Sequence, residues 1–193
     1  STGIVEQVGG DVHYVKPGDH VITCLSVFCG HCEQCVTGHL SLCGADEVNR
    51  DPEEEPRLSQ DGQSLEQFAR LGSFAEMMLV HEHAVVKIRE DMPSAQAALI
   101  GCGVTTGIGA VIHTAKVEPG ATVAVIGCGG IGLSTINGAA IAGASRIIAV
   151  DMVASKLELA RKFGATDVVD ASDGDAVAKV IELTGGGVHY SFE

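Results

Sequence analysis

Apolar positions follow two different patterns along the chain, and the change comes just after residue 90. Residues 1 to about 28 alternate short apolar runs with turns rich in Gly, Pro and Asp, which is typical of β structure. From Ser94 onward, apolar strand segments alternate with helical segments. Strands are expected at 122–126, 146–151, 167–169 and 188–192, and helices at 130–142, 154–163 and 175–183. This alternation predicts an α/β fold with a doubly wound parallel sheet.

The same change of pattern predicts two domains. A partial β-rich domain is expected over residues 1–92, and the partial α/β domain over residues 93–193. In the first domain, further strands are expected at 74–80 and 84–88. Two helices, at 95–100 and 101–116, are expected to open the second domain.

The charge of the chain excludes one class of partner. It has 12 Lys plus Arg against 25 Asp plus Glu, a net charge of -13, and no basic cluster. Such a chain repels phosphate backbones, so nucleic-acid binding is excluded. Part of the acidic excess lies in a polar loop expected at 44–72, with residues 51–56 at its centre. We interpret this loop as a solvated excursion, with a docking surface as the alternative.

Two apolar stretches, 95–112 and 123–150, are long enough to suggest membrane helices. Both contain many Gly residues, whereas bilayer spans are dominated by large apolar side chains, so we expect buried elements and no membrane partner. The chain opens without the basic and apolar segments of a secretory signal. An odd count of seven Cys argues against a disulfide framework, which favours a reducing, cytoplasmic location.

Four of the seven cysteines lie close together. Cys29, Cys32, Cys35 and Cys43 have the spacing C-x2-C-x2-C-x7-C. Four thiolates complete the tetrahedral coordination of Zn²⁺ and leave no open position, which is typical of a structural rather than a catalytic site. A redox Cys-x-x-Cys pair and an iron–sulfur cluster are the alternatives. Zinc is favoured, because a redox pair needs only two Cys and the ferredoxin run continues x3-C-P.

A glycine motif follows the first strand of the predicted parallel sheet. Residues 127–132 read Gly-Cys-Gly-Gly-Ile-Gly, with Gly127, Gly129 and Gly132 at the G-x-G-x-x-G positions. Such a motif between a strand and a helix is typical of dinucleotide binding. The helix is expected to start at about Gly130, where free N–H groups and the helix dipole favour phosphate. A structural glycine turn without a ligand is the alternative.

An acidic residue ends the next predicted strand. Asp151 lies nineteen residues after Gly132, where its carboxylate can accept hydrogen bonds from an adenosine ribose. The same charge repels a 2′-phosphate, so NAD is expected rather than NADP. Lys156 is near enough to help hold the ribose, with a solvated helix lysine as the alternative.

These two motifs together, in this order, resemble the zinc-containing alcohol dehydrogenases of the medium-chain dehydrogenase/reductase family. The resemblance covers essentially the whole chain and implies a GroES-like domain followed by a Rossmann domain. It implies that Cys102 is a ligand of a catalytic zinc and that Thr106 lies against the nicotinamide. It also implies that Ile131 packs behind the nicotinamide ring.

The chain also departs from the family's pattern. The zinc signature of the family opens with Gly-His-Glu, and Gly3, Gly9 and Val12 match only the part that follows. The other catalytic-zinc ligands would lie before Ser1, so the 193-residue chain is expected to be inactive by itself. The chain stops in the fourth strand of the sheet, where an uncovered edge predicts aggregation or pairing. His81 and His83, expected on one face of a strand, are a weak alternative metal site.

The resemblance implies hydride transfer to NAD from an alcohol, which becomes an aldehyde or ketone, in a protein that forms a dimer or tetramer. The runner-up in the same family oxidises thiol adducts of formaldehyde. A non-catalytic, zinc-stabilised nucleotide-binding module is the alternative from a different class.

Overall fold

The computed structural model describes residues 1–49, 51 and 53–193. The described chain divides into two compact units, Ser1–Gly101 and Cys102–Glu193. The division falls nine residues beyond the boundary expected from the sequence. The reason is local, since Gly101 packs so closely on the first unit that a Cβ there would lie 2.1 Å from the Thr23 carbonyl oxygen.

The first unit is built mainly from short strands. Its elements are β1 (Thr2–Ile4), β2 (His20–Thr23), α1 (Glu33–Val36), β3 (Leu58–Gln60), β4 (Gln63–Leu65), β5 (Val85–Lys87) and α2 (Ser94–Leu99). Strands β1, β2 and β5 form an antiparallel sheet in the order β1-β2-β5. Val15, Val21 and Val85 are buried together on it. The expected β structure at the start of the chain is therefore present.

The polar loop expected at 44–72 contains structure that the sequence analysis missed. Strands β3 and β4 form a two-residue hairpin. Asp61 and Gly62 form its turn with φ of 51° and 78°, the conformation that Asp-Gly favours in hairpins. Short 3₁₀ turns lie at Asp46–Val48 and Phe68–Arg70. The described acidic residues at its centre are exposed, as expected, while Arg50 and Pro52 lie outside the described residues.

Two expectations for residues 74–88 need correction. The strand expected at 74–80 is absent, and Phe74, Met77 and Leu79 are exposed there. Apolar residues alone do not make a strand without a partner to complete the ladder. His81 directly precedes the 3₁₀ turn Glu82–Ala84, and His83 lies within that turn. The expectation that both histidines lie on a strand is therefore wrong. The strand expected at 84–88 is present as β5.

The second unit contains the predicted parallel sheet. Its elements are α3 (Thr105–Gly109), β6 (Thr122–Ile126), α4 (Gly130–Ile141), β7 (Arg146–Asp151), α5 (Ala154–Lys162), β8 (Asp167–Asp170), α6 (Ala176–Thr184) and β9 (Tyr190–Phe192). All three strand pairs are parallel, in the order β8-β7-β6-β9. Each predicted strand and helix after residue 120 is confirmed, with bounds that differ by two residues at most.

Helices cover both faces of this sheet. On one face, Val123 and Val125 of β6 pack with Ile136 of α4 and Leu157 of α5. On the other face, Ile148 and Val150 of β7 pack with Val180 of α6. The apolar stretch 123–150 is therefore a core element, as expected, and the sheet is doubly wound.

One long helix leads into the second unit. It runs without interruption over Ser94–Thr114 through α2, a π-helical segment Ile100–Val104, α3 and a second π-helical segment Ala110–Thr114. The prediction of two separate helices in this segment is therefore wrong. By length and composition this helix could cross a membrane, and only 17% of its most apolar window is buried. The expectation that residues 95–112 are buried is therefore wrong for most of these residues.

Candidate functional site

The four predicted metal-binding cysteines converge on one point. Their sulfur atoms all lie within 4.8 Å of one another. Cys29 Sγ and Cys35 Sγ are 3.8 Å apart, and Cys32 Sγ lies 3.5 Å from Cys35 Sγ and 3.9 Å from Cys43 Sγ. These separations are far above the roughly 2.05 Å of a disulfide bond. All four side chains are therefore free thiols arranged around a common centre.

The size of this cluster fits a single zinc ion. A tetrahedral site with Zn–S bonds of about 2.3 Å has sulfur–sulfur edges of about 3.8 Å. The three sulfur–sulfur separations given above bracket that value. The donor set is four sulfurs with no position left for water, which is the composition of a closed structural site.

Backbone N–H groups point at the sulfurs and favour their ionised forms. The N–H of Cys29 donates to Cys43 Sγ at 3.4 Å, and the N–H of Cys32 donates to Cys29 Sγ at 3.3 Å. Hydrogen bonds from the backbone N–H groups of Ala45 and Cys29 lower the pKa of Cys43 to about 7. Burial raises the pKa of Cys35 to about 11. Four thiolates so close together need a cation to ionise fully.

The chain around the cysteines is folded tightly but has a small core. Gly30 and Gly38 take left-handed backbone conformations, with φ of 89° and 86°, on either side of α1. Beside the cysteines, one group of side chains is buried, consisting of Val27, Val48, Leu71 and Ala84. The metal is therefore expected to supply much of the order of residues 29–43, named here the zinc lobe.

A second group of possible metal ligands lies beside the zinc lobe. His31 Nε2 and Glu47 Oε1 are 2.5 Å apart, and both lie within 4.8 Å of Cys29 Sγ. The short His31–Glu47 contact is an ion pair or hydrogen bond between exposed side chains. It lies outside the four-sulfur set, which is complete without it.

His81 and His83 are positioned by other contacts. The His83 ring stacks on Phe28 with centroids 4.6 Å apart, and His83 Nδ1 lies 2.6 Å from the Phe28 carbonyl oxygen. His81 Nδ1 accepts the N–H of His83 at 3.1 Å. Among the described residues, neither histidine belongs to a group that could hold a metal.

The glycine motif forms a tight loop between β6 and α4. Gly127 has φ of 89°, which favours glycine. A Cβ on Gly132 would lie 1.8 Å from the carbonyl oxygen of Gly127, so only glycine allows this turn. Nothing in the described chain comes within 4 Å of where a Cβ on Gly129 would project. That side of the loop is therefore open to a ligand.

A cleft of about 360 Å³ opens at this loop. Its lining residues come from the loop, the start of α4 and the ends of β6 and β9: Val125, Ile126, Gly127, Gly129, Gly130, Ile131, Gly132, Thr135, Phe192 and Glu193. The first N–H groups of a helix have no acceptor within the helix and carry a partial positive charge. The four glycines predicted from the motif, and Ile131, which the resemblance adds, therefore all line one cleft. Free N–H groups at a helix start favour phosphate.

Asp151 lies beside this loop, at the end of β7. Its Oδ2 accepts the N–H of Cys128 at 2.7 Å, and its Oδ1 accepts the N–H of Val153 at 2.9 Å. Lys156 Nζ lies 3.8 Å from Oδ2. Hydrogen bonding from the Cys128 N–H is the largest cause that lowers the pKa of Asp151. The carboxylate is therefore ionised and already bonded to the protein backbone, a contact that the sequence analysis did not predict.

Cys102 and Thr106 lie on the long helix and are exposed. Neither lines the cleft at the glycine loop. Within the described residues, Cys102 belongs to no group of side chains that could hold a metal. Among the residues that the structure describes, Cys102 therefore has no companion ligands to complete a catalytic-zinc site.

The packing role of Gly107 was missed in the sequence. A Cβ on Gly107 would lie 2.6 Å from the Ile131 carbonyl oxygen, so this glycine lets the long helix contact α4 closely. On α4, a Cβ on Gly138 would lie 3.1 Å from the Ile108 Cα, so the two helices also approach closely there. The available signal was the pair of glycines at helix positions, where glycine costs stability unless it permits close packing.

Comparisons with known proteins agree with this arrangement. Residues 1–90 match the model of the alcohol dehydrogenase GroES-like domain, and residues 130–193 match the model of the zinc-binding dehydrogenase family. The chain therefore belongs to the zinc-containing alcohol dehydrogenases of the medium-chain dehydrogenase/reductase family. It contains a GroES-like region followed by a Rossmann region.

Individual relatives extend the match over almost the whole chain. The chain is 44% identical to S-(hydroxymethyl)glutathione dehydrogenase of Saccharomyces cerevisiae, over 99% of this chain and 52% of the relative. It is 41% identical to alcohol dehydrogenase class-3 of Oryza sativa, over 100% of this chain and 52% of the relative. The crystal structure of benzyl alcohol dehydrogenase from Acinetobacter calcoaceticus is similar with a TM-score of 0.83 and 37% identity, covering 98% of this chain and 52% of that chain. The chain thus spans about half the length of these relatives.

Proposed function

We propose that this chain is a segment of a zinc-dependent dehydrogenase that oxidises an alcohol to an aldehyde or ketone with NAD. The observation that carries the proposal is the glycine loop at the start of α4, with Asp151 at the end of the neighbouring strand. Membership of the zinc-containing alcohol dehydrogenase family supports the reaction class.

The residues of the second unit are assigned to holding the cofactor. The N–H groups at the start of α4 bind the pyrophosphate, and Gly129 leaves room for it. The negative charge of Asp151 disfavours a 2′-phosphate, which selects NAD over NADP, and Lys156 lies beside it. When bound there, NAD would supply the acceptor for the hydride that leaves the alcohol carbon. Ile131 lines the same cleft and is assigned to contact the nicotinamide.

The zinc lobe is assigned a structural role. Cys102 is assigned as one ligand of a catalytic zinc, and the described part of the chain places no further ligand beside it. Thr106 is assigned to the nicotinamide contact. We therefore expect no alcohol oxidation by the 193-residue polypeptide alone. Zinc-dependent turnover by the purified chain would contradict this assignment.

A second substrate class is favoured by the names of several relatives. The probable S-(hydroxymethyl)glutathione dehydrogenase 1 of Schizosaccharomyces pombe and the S-(hydroxymethyl)glutathione dehydrogenase of Synechocystis are each 44% identical to the chain, which covers 52% and 53% of them. Their substrate is an adduct of a thiol carrier. The described acidic side chains between 44 and 72 disfavour an anionic carrier, so simple alcohols remain the first proposal.

We also propose a cytoplasmic location and a homo-oligomer, a dimer or tetramer, for the longer protein, with no nucleic-acid or membrane partner. In the described sheet, β9 is an edge strand with one free side. Such an edge favours pairing with another strand. We expect the 193-residue chain to self-associate at high concentration, and a monomer by light scattering would count against this.

Cofactor binding tests the proposal directly. NADH and NADPH are titrated separately into the purified chain, and nicotinamide fluorescence and calorimetry report binding. We expect NADH to bind and NADPH to bind at least tenfold more weakly. Equal affinities would contradict the role of Asp151, and no binding of either would contradict the nucleotide site.

The coding sequence before Ser1 gives an independent test of the enzymatic reading. We expect it to encode Gly-His-Glu, the start of the family's zinc signature. A different sequence there would favour a zinc-stabilised nucleotide-binding module without catalysis.

A further inference from the structure

The carboxylate of Asp151 is nearly buried, and both of its oxygens bind the backbone. The side chain is 8% exposed. Its Oδ2 accepts the Cys128 N–H at 2.7 Å, and its Oδ1 accepts the Val153 N–H at 2.9 Å. Each oxygen has a lone pair left for a ligand. Two of its hydrogen bonds are therefore present in the protein without any nucleotide.

These two bonds join separate segments of the chain. Cys128 is the second residue of the glycine loop, after β6, while Val153 precedes α5, after β7. One residue earlier in the loop, the Gly127 N–H donates to the Val150 carbonyl oxygen at 2.8 Å. The end of β7 thus binds the N–H groups of both Gly127 and Cys128. The Gly127 N–H is bound by a backbone carbonyl, whereas the Cys128 N–H is bound by the side chain of Asp151.

The loop has little freedom to reach this conformation in another way. Gly127 needs a positive φ, and the Gly127 carbonyl oxygen lies where a Cβ on Gly132 would be. The Cys128 side chain is 2% exposed, with its sulfur 3.9 Å from the Val150 carbonyl oxygen. A loop that turned its Cys128 N–H toward water would have to pull this side chain out of the core.

We propose that Asp151 is a positioning residue for the glycine loop, which holds the loop in its phosphate-binding conformation independently of any contact with a ribose. The proposal rests on the nucleotide-binding function proposed above. Lys156 Nζ, 3.8 Å away, and the two N–H donors keep the carboxylate ionised, and hydrogen bonds to a charged acceptor are stronger than neutral ones.

This positioning role of Asp151 affects how its replacement would change cofactor specificity. Replacing Asp151 by a neutral residue removes the charge that opposes a 2′-phosphate, but it also removes the acceptor of the Cys128 N–H, as in Asp151→Ala, or weakens it, as in Asp151→Asn. We therefore expect such variants to bind both NAD and NADP weakly, rather than to exchange one preference for the other.

The test uses a nucleotide that cannot contact the carboxylate through its ribose. ADP and 2′,3′-dideoxy-ADP are titrated by calorimetry into the 193-residue chain and into Asp151→Ala. The dideoxy compound lacks the two ribose hydroxyl groups that would donate hydrogen bonds to the Asp151 carboxylate. We expect Asp151→Ala to bind 2′,3′-dideoxy-ADP about tenfold more weakly than wild type, the loss expected from one charge-assisted hydrogen bond.

A matched control separates this effect from general destabilisation. Asp175 Oδ1 accepts the N–H groups of Val177 at 2.9 Å and Ala178 at 3.1 Å at the start of α6, in the same unit. Asp175 is exposed, so Asp175→Ala removes a carboxylate that also accepts two backbone N–H groups but lies at the surface, away from the loop. We expect it to leave both nucleotide affinities within twofold of wild type. Asp151→Asn, which keeps one oxygen as an acceptor, should give an intermediate loss.

Amide hydrogen exchange at Cys128 without nucleotide is the second readout. We expect faster exchange in Asp151→Ala and in Asp151→Asn, and no change in Asp175→Ala. If Asp151→Ala weakens ADP but not 2′,3′-dideoxy-ADP, Asp151 acts only at the ribose and the inference is wrong. If wild type binds neither nucleotide, the proposed function fails, and unchanged Cys128 exchange would then overturn the inference separately.

Discussion

The zinc lobe and the glycine loop are two short segments that reach a precise shape by different means. In the zinc lobe, residues 29–43, four side-chain sulfurs converge and few apolar side chains lie beneath them. In the glycine loop, residues 127–132, backbone atoms pack against each other on a large apolar core. The first segment depends on a bound cation for its order. The second depends on close backbone packing that only glycine permits and, as proposed above, on the carboxylate of Asp151.

Because of this difference, we expect the folding of the two segments to respond to different perturbations. Metal binding contributes folding free energy only to the part of the chain that surrounds the ion. The sheet of the second unit buries Val123, Ile136 and Ile147 almost completely and requires no ion for that packing. We therefore expect conditions that remove metal to act on one segment and steric changes to act on the other.

Removal of zinc is the change with the largest expected effect. Chelation under reducing conditions should release the lobe, because a structural zinc contributes roughly 10–16 kcal/mol of binding free energy. Hydrogen exchange is expected to become fast over residues 29–43 and to stay slow over β6 and β7. Cys35→Ser should have the same effect, whereas Cys24→Ser, outside the four-sulfur set, should retain the metal. Equal loss of protection in both units would show that the comparison is wrong.

A methyl group at Gly132 is expected to have the next largest effect. Gly132→Ala places a Cβ 1.8 Å from the Gly127 carbonyl oxygen, and overpacking of this kind costs about 1–3 kcal/mol. Gly129→Ala is the matched control, since nothing lies within 4 Å of its Cβ. Thermal unfolding of the second unit should show a clearly lower Tm for Gly132→Ala and a small change for Gly129→Ala. The reverse order would contradict the described loop.

Acid should produce the smallest of the three effects, again in the second unit. Arg146 donates two hydrogen bonds to Asp167 and lowers the pKa of that carboxyl to about 2, against about 3.9 in an unfolded chain. Since the folded pKa is the lower one, the stabilisation is complete above about pH 5 and is lost progressively as the pH falls through about 2. Solvent screening reduces it to roughly 1 kcal/mol.

The Asp167→Asn variant isolates this contribution. Denaturant unfolding of the second unit is measured for both proteins at pH 6 and at pH 2.5. We expect the free energy of unfolding of Asp167→Asn to be lower than that of wild type at pH 6. The difference between the two proteins should become smaller at pH 2.5. A gap that stayed constant with pH would mean that the Arg146–Asp167 pair adds no charge-dependent stability.

Sequence alone predicted the parts of the molecule that depend on local pattern. The strands and helices after residue 120 have strong periodicity and turn residues at both ends, so their bounds are close to those observed. The hairpin at 58–65 also has a local signal, Asp61-Gly62, which was overlooked among acidic residues. The absent strand at 74–80 has the apolar composition of a strand but lacks a partner to pair with.

The candidate sites follow the same division. The four cysteines and the glycine motif are local patterns, and the structure brings each set together. The bond from the Cys128 N–H to Asp151 joins residues 23 positions apart, and the crossing at Gly107 and Gly138 joins two helices. Neither contact leaves a mark in the local sequence that specifies its partner.

The metal content of the purified chain tests the account most directly. Elemental analysis, after loosely bound ions are removed, should give about one zinc per chain and no iron, because four sulfurs form one closed site and the described residues offer Cys102 no companion ligands. Zinc should fall to zero in Cys35→Ser. A chain with no zinc, or with iron in its place, would contradict the structural-zinc assignment, and two tightly bound zinc ions would contradict the absence of a catalytic metal centre.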